Sequence, residues 1–134
     1  MELNIPIDIA DAVQDALNSA GHTACARPLP RTFPDNLPLT LVEPLPGGGR
    51  TDVVLDRFAV RCYTYADTPA EAIAESGEVM AALIACQGGT LGGRPCYRVT
   101  PSALPYEAHD PQHPDVPRAC FTAHMYVRCI TTNQ

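Results

Sequence analysis

Proline placement limits this chain more than any other feature of its sequence. Fourteen of the 134 residues are proline, with nine glycines beside them. Pro28, Pro30, Pro34 and Pro38 crowd one stretch, and Pro101, Pro105, Pro111, Pro114 and Pro117 another. Each proline fixes its own φ and removes a backbone donor, so neither a helix interior nor a central strand suits these stretches. Long, stiff, irregular connections are therefore expected at 22–38, a connector or contact arm, and at 101–117, a long loop. Regular structure is left to residues 1–21 and to what remains of 39–130, in a single domain spanning 1–134.

Within those windows the periodicities differ. Ile9, Val13, Leu17 and Ala20 recur at helical spacing, with Asp8, Asp11 and Asp15 on another side. This predicts an N-terminal helix from about Ile5, capped by Asn4, with Pro6 in its first turn and Gly21 at its stop. Leu39–Val42 reads as a short strand ended by Pro44 and Pro46, with Gly47, Gly48 and Gly49 as a flexible hairpin tip. Asp52–Ala66 alternates cleanly: Phe58, Val60, Cys62 and Thr64 take one face, and Arg57, Ala59, Arg61, Tyr63 and Tyr65 the other. Thr68, Pro69 and Glu71 form a strong helix start, and Ile73, Gly77, Met80, Leu83 and Ile84 mark the expected apolar stripe of a helix reaching about Cys86. Gly77 and Ala81 suggest close approach of that helix to a sheet. Cys96–Thr100 and Arg118–Ile130 complete the strands.

The resulting order, helix, strand, strand, helix, strand, strand, implies an α+β fold. Its expected form is a mainly antiparallel sheet of about four strands, with a long helix packed across one face and an N-terminal helix. The other sheet face would collect Arg57, Arg61, Tyr63, Tyr65, Arg98, His124, Tyr126 and Arg128. Tyrosine and arginine are enriched where protein surfaces are covered by partners, so this face is the candidate oligomer or partner interface. The acidic helices offer counter-charges, and a head-to-tail contact of that kind closes into a ring when its rotation permits.

Composition narrows the chemistry. Apolar residues make up 46% and charged residues 18%, enough for an ordinary core. The net charge is −6, and all nine basic residues are arginine, so Schiff-base lysine chemistry and a P-loop lysine are excluded and the whole chain is no nucleic-acid clamp. Neither a membrane-length apolar run nor the basic and apolar blocks of an export signal is present, which predicts a reducing setting and no membrane partner. In that setting Cys25, Cys62, Cys86, Cys96, Cys120 and Cys129 read mainly as small hydrophobes, with disulfides or a metal as the rival. His109, Asp110, His113 and Asp115 have ligand chemistry, but Pro111 and Pro114 deny them a helix. Cys120, His124 and Cys129 cannot chelate together from one strand, because Cys129 falls on the opposite face. No oxyanion loop or orienting carboxylate accompanies Cys62 or Cys120 with His124, so the expectation is no catalytic, cofactor-binding or metal-binding residue.

The segments GGGRTDVVLDRFAVRCYTYADTPAEA (47–72), RPCYRVT (94–100) and PRACFTAHMYVR (117–128) resemble the tail terminator proteins of long-tailed bacteriophages and prophages, also described as tail completion or tail-to-head joining proteins. The resemblance covers most of the chain. It implies a non-enzymatic α+β subunit without cofactor that forms a six-fold ring with copies of itself. Such a ring caps the tail tube protein at full length, ends elongation and presents its other surface to the head connector or neck protein. DNA would pass through without specific binding. The implied location is the virion tail or neck, assembled in the bacterial host cytoplasm. The alternatives are another neck or connector subunit, or a small thiol- or metal-dependent enzyme or sensor built on Cys120, His124 and the loop histidines.

Overall fold

Asp8, rather than Asn4, starts the first helix. In the computed structural model, which describes residues 2–133, α1 (Ile9–Ser19) begins where the Asp8 side chain accepts a hydrogen bond from the Asp11 amide at 3.2 Å. Ile5 precedes Pro6, a position biased toward extended backbone. Accordingly Glu2–Ile5 forms strand β1, paired antiparallel with β8 (Ile130–Asn133). The expected helix beginning at Ile5 is thus shortened. Asn4 serves the ribbon instead, donating to the Val53 carbonyl and accepting from Thr131 Oγ1.

The remaining strands are β2 (Ala24–Cys25), β3 (Leu39–Arg50), β4 (Leu55–Tyr65), β5 (Thr90–Leu91), β6 (Arg94–Glu107) and β7 (Arg118–Arg128). They lie in the order β2-β3-β4-β7-β6-β5, with β2 parallel to β3 and every other pair antiparallel. The expected four-stranded, mainly antiparallel sheet is therefore wrong. The chain forms a curled, mixed six-stranded sheet plus a two-stranded ribbon, and strand accounts for 45% of it, although the α+β class holds in general.

The short β2 and β5 add the two extra strands, and β2 makes the sheet mixed; proline accounts for the unexpected lengths of β3 and β6. Pro44 and Pro46 lie in β3 beyond its short pairing with β2, while Pro101 and Pro105 lie in β6 beyond its short pairing with β5. On an edge strand the missing N–H is not needed by the ladder, so these prolines neither end β3 nor turn 101–107 into a loop. Irregular register near Leu45/Gly49 and Pro101/Ala103 absorbs the misfit. The glycine triplet lies inside β3, and the bend to β4 occupies 51–54, so the expected hairpin tip is displaced.

Helix α2 (Pro69–Ile84) starts as its sequence directs: Thr68 Oγ1 accepts from the Glu71 amide at 3.1 Å, with Pro69 in the first turn. Its buried stripe is Ala72, Ser76, Val79 and Leu83, one residue round from the expected stripe. Ile73 and Ile84 are exposed, and a Cβ at Gly77 would meet nothing within 4 Å, so Gly77 is not the point of close approach. Both helices cover one sheet face, against Val42, Val60, Cys62, Phe121, Ala123, Met125 and Val127. His22 Nδ1 lies 2.9 Å from Glu75 Oε2 and ties the chain after α1 to α2.

Candidate functional site

Residues opposite one another in an antiparallel ladder project from the same face. Across β4, β7 and β6 the face away from the helices therefore reads in rows: Arg57–Tyr126–Arg98, then Ala59–His124–Thr100, then Arg61–Thr122–Ala103, then Tyr63–Cys120–Tyr106. Arg128 stands opposite Leu55 at the margin, and Tyr65 opposite Arg118 at the other end. Seven of the expected interface residues, all but Tyr65, are at least partly exposed on this face.

Tyr65 is the exception, at 1% exposure. The proline-rich segment after β2 roofs this end of the face, setting Phe33 edge-on to Tyr65 at 4.9 Å between ring centres and to His113 at 4.8 Å. Beneath the roof, Asp110 accepts from the Tyr65 hydroxyl at 2.7 Å and from the Gln112 amide, pairs with His113 Nδ1 at 3.0 Å and lies 3.9 Å from Arg118. Burial alone would raise the Asp110 carboxyl, but these bonds and the Arg118 charge outweigh it and hold the value down at about 2. Tyr65 moves the other way, pushed up to about 12 by burial and by its bond to the carboxylate. Arg118 also stacks over the Tyr63 ring, 4.2 Å from its centre, and donates to the Ala108 and His109 carbonyls. The loop acid and histidine with ligand chemistry thus form a structural lock joining both proline-rich stretches to the sheet.

The open part of the face has a different character. Arg57 Nη2 donates to the Gly47 carbonyl at 3.2 Å, Arg98 Nε to Thr100 Oγ1 at 3.0 Å, and Arg61 to Thr122 Oγ1 and the Tyr63 hydroxyl at 3.4 Å each. All these acceptors are neutral. Among the described residues no carboxylate lies within 4 Å of Arg57, Arg61, Arg98 or Arg128, and Arg57 Nε is buried without a hydrogen-bond partner. Glu43, opposite Arg61 in the ladder, is engaged by Arg27 at 3.0 Å instead. Among the described residues these four guanidiniums therefore carry charge without an ion-pair partner.

Four of the six thiols sit in the interior. Cys62, Cys96, Cys120 and Cys129 are buried, and all six cysteines are free. Burial, assisted by the neighbouring Cys120, pushes the Cys62 thiol up to about 12, which keeps it protonated and a poor nucleophile. Cys120 and His124 share a face, whereas Cys129 is fully buried beyond the end of β7.

Two parts of the face escaped sequence reasoning. Arg118 continues the even-numbered alternation of β7 and was legible from it. Tyr106 lies in 101–107, which proline placement marks as loop and which forms the end of β6. No family model matches the chain, and no curated protein matches it.

Proposed function

We propose that this chain is a structural subunit of a long-tailed bacteriophage particle, a tail terminator whose ring caps the tail tube and forms the joint with the head. The observation that carries the proposal is the exposed sheet face with four arginines that have no acid partner among the described residues, on the side opposite both helices. A face of this composition is suited to burial against another subunit or particle component. The family resemblance of 47–128 supplies the kind of assembly. The chemically capable side chains support a non-catalytic role, because Asp110 and His113 hold the roof in place and Cys62 is locked in its neutral form.

Two measurements test this reading. Arg61→Glu reverses a charge whose hydrogen bonds run only to Thr122 Oγ1 and the Tyr63 hydroxyl, so the monomer should keep its circular dichroism while self-association in sedimentation weakens by about tenfold or more at moderate salt. An unchanged oligomer removes Arg61 from the contact. Separately, the purified chain added to growing tubes of a long-tailed phage tail-tube protein should arrest growth and label one tube end in electron micrographs. Labelling along the tube, or continued growth, refutes terminator function.

A further inference from the structure

One part of the open face forms a shallow dish. Arg57 and Arg98 stand in the same row on either side of Tyr126, two strand spacings apart, or about 10 Å between backbones. Guanidinium groups at the ends of long side chains can converge from that separation over the central strand. The adjacent row places His124 between Ala59 and Thr100, and the small Ala59 side chain leaves room beside it. The five side chains of Arg57, Arg98, Thr100, His124 and Tyr126 line a dish of about 330 Å³.

We infer that this dish binds one oxyanion, and that its occupant in the assembly is a glutamate carboxylate from α2 of a second copy. The geometry favours an anion because both guanidiniums carry permanent charge and offer only donors, while a cation would meet two like charges. The neutral contacts to Gly47 and Thr100 orient the two arginines and leave further N–H groups free to form bidentate bonds. Charge balance favours a protein carboxylate over a nucleic-acid phosphate: the chain holds 15 acids against nine arginines, at a net −6. The acids are available on α2 in particular. Asp67, Glu71, Glu75 and Glu78 edge a groove with Pro38 and Ala74, and of these acids only Glu75 is committed to an ion pair within the described chain. The dish and α2 lie on opposite sides of the sheet, so the contact is head-to-tail, as a closed ring requires. The choice of a second copy rests on the assembly reading above, whereas anion binding by the isolated chain does not.

Acetate titrated into the full chain at low protein concentration, followed by amide chemical shifts, should give saturable changes at Thr100, His124 and Tyr126. Arg98→Gln, a substitution at an exposed position, should weaken that binding about tenfold, equivalent to one strong charge-assisted hydrogen bond. Absence of saturation, or equal binding by Arg98→Gln, overturns the oxyanion site. Sedimentation then tests the occupant: Arg98→Glu and Glu78→Arg should each weaken association of the chain, and the two together should restore it. No association of the wild-type chain, no restoration by the double variant, or a duplex DNA oligomer that binds through Arg98 overturns the second copy as occupant. The tube-capping assay reads particle function separately, so its failure leaves the dish result standing.

Discussion

Replacing Asp110 by asparagine removes the charge at the centre of the roof while keeping an oxygen that can still accept from the Tyr65 hydroxyl. The native carboxyl is held at about 2 against an ordinary 3.8. At about 1.4 kcal/mol per pH unit, that difference is worth about 2 kcal/mol of stability at neutral pH. Because the folded value lies below the unfolded one, the contribution is complete above about pH 4 to 5 and fades as pH falls toward 2. Asp110→Asn should therefore lower the urea-unfolding free energy by about 2 kcal/mol at pH 7, with the gap between variant and wild type closing near pH 2. Far-UV circular dichroism across a series of urea titrations reads both values, and tyrosine emission supplies a second probe in a chain without tryptophan. A loss that stays the same from pH 7 down to pH 2.5 would mean that shape rather than charge is responsible. A loss below about 0.5 kcal/mol at pH 7 would refute Asp110 as the anchor of the roof.

Two further substitutions test the packing that positions the face. A Cβ at Gly48 would stand 2.5 Å from the Arg57 carbonyl oxygen, against nothing within 4 Å at Gly49. Gly48→Ala should cost about 1–3 kcal/mol by prying β3 from β4, and Gly49→Ala should change stability by less than about 0.5 kcal/mol, as read by thermal and urea unfolding. On α2, Leu83→Ala should cost about 2–5 kcal/mol and Ile73→Ala less than about 1 kcal/mol, in the same measurements. A loss at Ile73 as large as at Leu83 would mean that Ile73 packs into the core, as the sequence of α2 first suggests.

Some signals are legible in the sequence because the physics behind them is local. The Thr68–Pro69–Glu71 start of α2 needs only its own first turn, and it forms as expected. The alternation of Val60, Cys62 and Thr64 against Arg61 and Tyr63, and of Phe121, Ala123 and Met125 against His124 and Tyr126, assigned each side chain to its face, because the pleat has a period of two residues. The arginine and tyrosine rows were therefore visible as a set before their neighbours were known.

What tertiary structure decided is everything that depends on which groups become neighbours. Asn4 and Thr131 meet across 127 positions, so nothing near either one announces the β1–β8 ribbon. Whether Pro44 or Pro101 ends a strand depends on whether that strand is at an edge, a property of the assembled sheet. The stripe of α2 buries Ala72 and Ser76 while Ile73 stays exposed, and only the partner surface distinguishes them. Tyr65 was read as part of an open face, yet Phe33 and Asp110 cover it. Its alternation determined the direction in which the ring points, and only the folded path of two distant proline-rich stretches determined that water would not reach it.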